Sequence, residues 1–245
     1  MRIAVAGATG VVGALTVTVL ERGGHDVVRI GRSLGVDLVS GDGLADVLAG
    51  VEAVIDVINA PATDPAQAVA YFGAATRNLL NAEELAGVGH HVLLSIVGID
   101  RVEGNAHFAG KKEQERLVIA GPVPWTIVPA TQFHDFAQKV AIQSEHDGVA
   151  TITPRLVQPI APIDVAEVLA EIAAGLPQAR YVDLAGPQTH DLVDMARRTY
   201  QARGRAVTVM PARSEGLEEA PNGALLPGPD ARIAPTTFDE WLTGQ

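Results

Sequence analysis

Short apolar stretches alternate with amphipathic stretches along the first 150 residues of this 245-residue chain. The apolar stretches predict strands, and stretches with hydrophobic residues at every third or fourth position predict helices. The predicted strands are residues 2–6, 26–30, 36–39, 51–58, 91–96 and 125–128. The predicted helices are residues 14–22, 65–85, 111–119 and about 132–144, and residues 42–48 form a short mixed connection. This alternation predicts an α/β fold with a doubly wound parallel sheet, which binds ligands at the carboxyl ends of its strands.

The pattern changes after about residue 150. Short extended pieces (residues 150–153, 157–160, 180–184 and 206–209) are mixed with helices near residues 164–174 and 192–203. We therefore expect a nucleotide-binding domain in residues 1–150 and a smaller α/β C-terminal lobe in residues 151–245. The lobe is expected to bind substrate and to pack on, and interleave with, the first domain. Residues 211–235, rich in Pro, Gly and charge, are interpreted as a cover over a substrate cleft or as a mobile tail.

Composition narrows the class of protein. Hydrophobic residues make up 47% of the chain and aromatic residues only 4%, so the core is expected to be aliphatic. The net charge of −11 disfavours nucleic acid and anionic membrane surfaces as partners. The chain has no cysteine, which excludes disulfides and thiolate nucleophiles, and its seven scattered histidines give no zinc pattern. We therefore predict no metal site.

Residues 3–20 contain no charged residue and superficially resemble a signal peptide or a membrane span. Glycines interrupt this stretch, and only Arg2 provides a positive charge before it. We interpret it as a buried strand, a turn and a helix, and we expect a cytoplasmic protein.

A glycine-rich turn joins the first predicted strand to the first predicted helix. Its sequence, Gly-Ala-Thr-Gly-Val-Val-Gly at residues 7–13, departs by one residue from the Gly-x-Gly-x-x-Gly spacing of dinucleotide sites. Glycines let the backbone turn sharply and approach phosphates, and the free N–H groups of a helix start attract anions. The alternative, a glycine turn before an ordinary buried helix, is disfavoured by the strand–turn–helix context. We predict that the turn binds a dinucleotide pyrophosphate through Gly7, Thr9, Gly10, Val12 and Gly13.

The end of the second predicted strand indicates which dinucleotide is bound. An acidic side chain there would bind the 2′-hydroxyl of NAD, whereas an arginine accommodates the 2′-phosphate of NADP. This chain has Arg32 followed by Ser33 at that point and no carboxylate. We therefore favour NADP(H) over NAD(H), the alternative being that Arg32 is a solvated surface residue.

A set of motifs in fixed order resembles a known family. The motifs are Gly7-Ala8-Thr9-Gly10-x-x-Gly13, Gly41-Asp42, Leu94-Ser95-Ile96-Val97-Gly98, Lys111-Lys112-x-x-Glu115, Pro124 to Val128 with Thr131-Gln132-Phe133, and Ile163 to Ala166. Together they resemble the atypical short-chain dehydrogenase/reductases, the NmrA-like NAD(P)-binding proteins, over nearly the whole chain. The resemblance implies a Rossmann-type domain and a smaller substrate lobe. Members of that family include NAD(P)H-dependent reductases and redox-sensing regulators without turnover.

The resemblance also implies roles for catalytic positions. Short-chain reductases use a tyrosine four residues before a lysine, with a serine that polarises the substrate oxygen. Ser95 and Lys111 match the serine and the lysine, and Lys111 would hold the nicotinamide ribose. The tyrosine position is occupied by His107, or by Phe108 if Lys112 is the lysine, and the three tyrosines lie elsewhere.

Two interpretations of the missing tyrosine stay open. In the first, a histidine replaces it as acid and base, since imidazole titrates near neutral pH. The candidates are His107, in a polar stretch interpreted as a loop, and His134, in the region that borders the nicotinamide in this family. In the second, the protein passes hydride to a substrate that solvent protonates, or it only binds the cofactor.

Other cofactor contacts follow from the resemblance. Asp42 would touch the adenine, the alternative being a helix cap, and Ile58 would line the cofactor. Pro129, Thr131 and Phe133 would shape the nicotinamide pocket. Asp164 is interpreted as a helix N-cap rather than a catalyst.

The leading hypothesis is an NADP(H)-dependent oxidoreductase that transfers hydride to a small carbonyl or conjugated substrate. The alternative is a non-catalytic NADP(H)-sensing regulator that acts through a protein partner. We expect a small-molecule substrate as partner, and the sequence leaves open whether the chain also binds a protein partner or forms a homo-oligomer.

Overall fold

The computed structural model describes residues 1–59, 64–211 and 223–244. The strands are Arg2–Ala6 (β1), Asp26–Ile30 (β2), Ala53–Asp56 (β3), His90–Ile96 (β4), Trp125–Ala130 (β5), Val149–Ile152 (β6), Leu156–Val157 (β7), Ala179–Arg180 (β8), Leu184–Ala185 (β9), His190–Asp191 (β10), Thr208–Pro211 (β11) and Arg232–Ile233 (β12). The α-helices are Val11–Arg22 (α1), Leu44–Val47 (α2), Pro65–Ala86 (α3), Ala106–Ala120 (α4), Phe136–Ser144 (α5), Pro162–Ala173 (α6), Leu192–Ala202 (α7) and Phe238–Thr243 (α8).

The chain divides into two compact units. The first unit comprises Met1–Ile96, Ala106–Pro129 and Val165–Tyr181, and the second comprises Val97–Asn105, Ala130–Asp164 and Val182–Gln245. The assignment of residues 1–150 to cofactor and 151–245 to substrate stays a prediction.

A parallel sheet flanked by helices forms the first unit. Its strand order is β5-β4-β3-β1-β2, with β8 beside β5. In β1, Ala4 pairs with Val28 of β2 on one side and with Val54 of β3 on the other. The chain therefore passes from β1 to β2 on one side and then crosses to β3 on the other side of β1. In a parallel sheet, such a reversal places a ligand crevice at the carboxyl ends of β1 and β3. The predicted α/β doubly wound fold is confirmed.

The predicted strand at residues 36–39 is wrong. Val36 and Leu38 are buried, as a strand there would require, but the backbone forms turns. The carboxylate of Asp37 accepts a hydrogen bond from the Val39 N–H at 2.8 Å, and the Asp37 carbonyl accepts one from the Gly41 N–H. Such local bonds from an aspartate compete with strand pairing. The apolar pattern therefore identified burial correctly and secondary structure incorrectly.

Helix α3 confirms its prediction closely. Its N-cap, Asp64, accepts a hydrogen bond from the Gln67 N–H, and Pro65 occupies the first turn. Gly87 ends the helix in the left-handed conformation, at φ 73°. Buried Phe72 and Leu79 of this helix join Val54 and Leu93 in the hydrophobic core of the first unit.

Helix α4 begins five residues before its predicted start, so that His107 lies on a helix and not in a loop. Gly110 explains how α4 packs on α3. A Cβ atom at Gly110 would lie 2.2 Å from a ring carbon of Phe72, so only glycine permits this approach. The close packing brings the buried polar face of α4 to α3 and β3.

The second unit contains short strand pairs and helices. Strand β6 pairs with β11, β7 with β10, and β9 with β12, and Ala130 at the end of β5 pairs with Leu184 of β9. Helix α5 starts at Phe136, later than the predicted 132. Helix α6 starts at Pro162, so Asp164 lies in its first turn and is not the N-cap as predicted. Its carboxylate instead accepts hydrogen bonds from the N–H and hydroxyl of Thr236.

Of the segment 211–235, residues 212–222 lie outside the described residues, and its interpretation as a cover or a tail stays a prediction. Among the helices in the described ranges, none is both long and apolar enough to cross a membrane.

Candidate cofactor site

The glycine turn after β1 has a backbone geometry that other residues could not adopt. Gly7 has φ +88°, and a Cβ atom there would lie 2.9 Å from the carbonyl oxygen of Val57. A Cβ atom at Gly13 would lie 2.1 Å from the carbonyl oxygen of Gly7. Real Cβ atoms are not found this close to a backbone oxygen. The glycines at both ends of the turn are therefore required by the fold of the turn itself.

Helix α1 starts from this turn without a side-chain cap. Its N-cap is Gly10, whose own N–H donates to the Gly7 carbonyl at 3.0 Å. The first-turn amides of a helix have no acceptor within the helix, and their partial positive charge attracts anions. Thr9 and Gly10 are exposed, whereas Val12 and Gly13 are buried behind them. The turn therefore offers uncapped amides beside glycine backbone, which fits a pyrophosphate.

The end of β2 lies directly against this turn. The N–H groups of Gly7 and Ala8 both donate to the carbonyl oxygen of Ile30, at 3.0 and 3.2 Å. At the next residue, Gly31, a Cβ atom would lie 3.6 Å from the hydroxyl oxygen of Thr9. Arg32 and Ser33 follow in a single exposed 3-10 turn. The structure thus brings together the residues predicted to bind the pyrophosphate and the 2′-phosphate.

Two further predicted contacts lie in the same unit. Ile58 is buried, and its Cα would be 3.1 Å from a Cβ atom at Gly7, so it forms one wall of the turn. Asp42 is exposed and accepts a hydrogen bond from the Ser40 hydroxyl at 2.8 Å. Helix α2 is capped by Gly43, with no side-chain cap bond, so the alternative role of Asp42 as a helix cap is not found.

Lys111 is buried, with only 4% of its surface exposed. Its ammonium donates to Oε1 of Gln114, and it lies over the Phe72 ring at 5.7 Å from the centroid. Burial lowers the pKa of Lys111 from 10.5 to about 8, although the negative charges of Asp56 and Glu115 act in the opposite direction. Near neutral pH the ammonium is therefore still charged, and it can donate a hydrogen bond to a ligand oxygen.

Ser95 is engaged within the protein. Its hydroxyl donates to Oε1 of Glu115 at 2.5 Å, and the other oxygen of that carboxylate accepts from Arg180. Both Ser95 and Glu115 are buried. A serine hydroxyl has one proton to donate, so this bond competes with the polarisation of a substrate oxygen that the resemblance implies.

His107 occupies the first turn of α4 and is partly exposed. Its ring meets Phe72 edge-on, with the ring centroids 6.0 Å apart. The histidine therefore lies one helical turn before Lys111 and shares the Phe72 contact with it. Its role as proton donor stays a prediction.

The remaining predicted residues lie at or just after the end of β5. Pro129 and Thr131 are buried and Phe133 is partly buried. The hydroxyl of Thr131 has no hydrogen-bond partner within residues 1–59, 64–211 and 223–244. Their contact with a nicotinamide stays a prediction.

His134 is fully enclosed in the second unit. Its Nε2 donates to the carbonyl oxygen of Thr236 at 3.2 Å, and its ring centroid lies 5.6 Å from those of Phe238 and Trp241. Burial lowers the pKa of His134 below 6.5, although the bond to Thr236 acts in the opposite direction. These contacts fix helix α8, and a role for His134 as proton donor stays a prediction.

The sequence prediction missed the partners of Lys111. Asp56 and Gln114 are fully buried and hydrogen-bonded to each other, and Glu115, which entered the prediction only as part of a motif, is buried beside Ser95. Two signals point to them in retrospect. Asp56 is a carboxylate at the carboxyl end of the otherwise apolar strand β3, and Gln114 lies three residues after Lys111, on the same face of a helix.

No group of three or more possible metal ligands occurs among residues 1–59, 64–211 and 223–244.

Comparison with known families agrees with this geometry. Residues 7–175 match the family model described as NAD(P)H-binding. The match covers the glycine turn, Arg32 and Lys111, and more than half of the chain. The chain belongs to this NAD(P)H-binding family, and the recognition made from the sequence motifs is confirmed at that level.

Solved structures share the fold at low sequence identity. An NADPH-dependent quinone oxidoreductase of Escherichia coli is 18% identical, with 99% of this chain and 98% of that chain covered and a TM-score of 0.71. The triphenylmethane reductase of a Citrobacter species, in complex with NADP(H), is 17% identical over 87% of this chain and 80% of that chain, at a TM-score of 0.63. The UDP-glucose 4-epimerase of Thermotoga maritima is 12% identical over 89% and 88%, at a TM-score of 0.70. No curated protein sequence matches the chain.

Proposed function

We propose that the protein is an NADP(H)-dependent oxidoreductase of the atypical short-chain type, which reduces a small conjugated or carbonyl substrate. One observation carries this proposal: the glycine turn at Gly7 to Gly13 abuts the end of β2, where Arg32 is exposed and is followed by Ser33 and not by a carboxylate. A pyrophosphate on the turn would extend its ribose toward Arg32, and a guanidinium suits the 2′-phosphate.

Each group of this chain has a defined task in that proposal. The uncapped amides of α1 bind the pyrophosphate, and Arg32 pairs with the 2′-phosphate. Lys111 donates a hydrogen bond to a ribose hydroxyl. NADPH, when bound, supplies the hydride.

The hydrogen bond from the Ser95 hydroxyl to Glu115 favours a conjugated acceptor. A simple ketone needs its oxygen polarised as hydride arrives, but the Ser95 hydroxyl is bound to Glu115. An acceptor that spreads the negative charge over a conjugated system can take its proton from solvent. The neighbours in fold include a quinone oxidoreductase and a triphenylmethane reductase, and this supports the same substrate class.

The test is NADPH consumption by the pure protein with a benzoquinone and, separately, with a simple aliphatic ketone. We expect turnover of the quinone and much slower turnover of the ketone. The matched control is Gly13→Ala, which should remove turnover with both. Faster reduction of the ketone would contradict the proposed substrate class.

Tight binding of NADPH without turnover of any acceptor would instead favour the regulator. A regulator must also bind NADPH and NADP⁺ with different affinities, since equal binding shifts no equilibrium.

A further inference from the structure

The Lys111 ammonium has three N–H donors and, among the described residues, a single hydrogen-bond acceptor, Oε1 of Gln114. Gln114 is fully buried, and so are its other two partners. Its Nε2 donates to Oδ2 of Asp56 at 2.9 Å and to the hydroxyl of Thr76 at 3.2 Å. The amide of Gln114 therefore lies between a buried cation and a buried carboxylate.

This placement fixes the orientation of the amide. An ammonium only donates hydrogen bonds and an ionised carboxylate only accepts them, so the amide oxygen must face Lys111 and the amide nitrogen must face Asp56. A flipped amide would lose both bonds. The dipole of the ordered amide points its oxygen at the ammonium and its N–H at the carboxylate, so it stabilises both charges.

The other oxygen of Asp56 bonds a residue that packs against the glycine turn. Oδ1 accepts a hydrogen bond from the N–H of Ile58 at 2.9 Å. Ile58 is the residue whose Cα packs against Gly7, with 3.1 Å to the position of a Cβ atom there. A continuous path of hydrogen bonds and contact therefore runs from Lys111 through Gln114, Asp56 and Ile58 to the glycine turn.

We propose that Gln114 and Asp56 are positioning residues, which form a buried relay that keeps the Lys111 ammonium charged and fixed relative to the end of β3. That this serves the ribose contact of Lys111 rests on the proposed function. The relay itself does not, because it can be tested without cofactor.

The alternative is that the same bonds only hold α4 to β3 and α3. The two explanations differ in what they predict for the titration of Lys111. Burial opposes the charged amine, whereas the charges of Asp56 and Glu115 support it. A relay therefore raises the pKa of Lys111, and its loss must lower that pKa, whereas a purely structural tie leaves it unchanged.

The first experiment measures the Lys111 titration through stability, with no cofactor present. The folded pKa of Lys111 lies near 8 and the ordinary value is 10.5, so the unfolded chain binds more protons between these values. The contribution of Lys111 to the free energy of unfolding should therefore rise with pH from about 8. Denaturant titrations of the wild type and Lys111→Met across this range isolate that rise as the difference between the two curves.

The relay variants are Gln114→Met, which keeps the shape of the side chain, and Asp56→Asn, which keeps an acceptor for Ile58. Each is compared with its own Lys111→Met double variant. In both, we expect the rise to begin about one pH unit lower than in the wild type, because the charged amine has lost an acceptor or a counter-charge. Thr76→Val is the matched control: it is equally buried and contacts the same amide nitrogen, but it is a side branch, so the onset should stay in place.

The second experiment measures NADPH affinity of the same variants at pH 7.5. We expect about tenfold weaker binding for Gln114→Met and Asp56→Asn, and wild-type affinity for Thr76→Val. The relay proposal is overturned if, in both relay variants, the rise in stability begins at the same pH as in the wild type. If the onset shifts but the wild type binds no NADPH, the relay stands and the proposed function fails.

Discussion

The glycine turn and the Lys111 relay belong to one unit but are built in opposite ways. The turn uses backbone amides and glycines that leave no room for a Cβ atom, and residues 7–13 contain no titrating side chain. The relay uses a charged amine, an amide and a carboxylate that are all buried. The turn should therefore be sensitive to added bulk and insensitive to pH, and the relay should be sensitive to charge and pH. Anion binding and ribose binding can then be weakened separately.

The largest effect should come from adding one methyl group to the turn. In Gly13→Ala, the new Cβ would lie 2.1 Å from the Gly7 carbonyl oxygen, so the turn must move away from its anion-binding geometry. We expect NADPH affinity to fall by at least about 100-fold, equally at all pH values, from loss of several amide contacts. Calorimetric titration at pH 6.5 and 8.5 measures this.

The matched control for that variant is Gly89→Ala, whose Cβ would meet its nearest atom at 3.6 Å. It should bind NADPH like the wild type. A normal affinity of Gly13→Ala would mean that the turn does not hold the pyrophosphate.

A smaller and more selective effect should come from Arg32. In Arg32→Glu, a phosphate-binding cation becomes an anion, so NADPH affinity should fall about 30-fold while NADH affinity changes little. Arg22→Glu provides the control, since Arg22 is exposed at the end of α1 and the substitution changes the net charge equally. Equal losses for the two nucleotides would show that Arg32 does not bind the 2′-phosphate.

A third variant, at Glu83, changes a buried charge that is not part of the proposed cofactor site. Nδ1 of His91 contacts both carboxylate oxygens of Glu83, at 2.9 and 3.0 Å, and both side chains are fully buried. Burial raises the pKa of Glu83. Burial alone would lower the pKa of His91, but the charge and hydrogen bond of Glu83 raise it above 6.5.

Both folded pKa values therefore lie above the unfolded ones. The stabilisation that the Glu83–His91 pair contributes is therefore present at acidic pH and is lost as pH rises through the folded pKa values. Glu83→Gln should cost about 3 kcal/mol of unfolding free energy at pH 6 and less at pH 9, with NADPH affinity nearly unchanged. Denaturant titrations at the two pH values measure it. A loss that grows with pH would contradict the assigned shifts.

The same contrast explains what could be predicted from the sequence. Features that depend on neighbouring residues could be predicted. These are the glycine turn, helix α3 with its Pro and Gly ends, and the position of Arg32 after β2. The relay depends on Asp56 and Gln114, which lie far apart in the chain and meet because Gly110 lets α4 pack on α3. The strand predicted at residues 36–39 failed for a different, local reason: the Asp37 carboxylate accepts a hydrogen bond from the Val39 N–H, and this bond outweighed the apolar pattern.

The most direct test of the account is a calorimetric titration of the wild-type protein with NADPH, NADP⁺, NADH and NAD⁺. The account predicts binding of all four at one site, with the 2′-phosphorylated pair bound at least about tenfold more tightly, because Arg32 contacts the phosphate. Equal affinity for both pairs would contradict the assignment of NADP(H). Binding of none of the four would contradict the cofactor site itself.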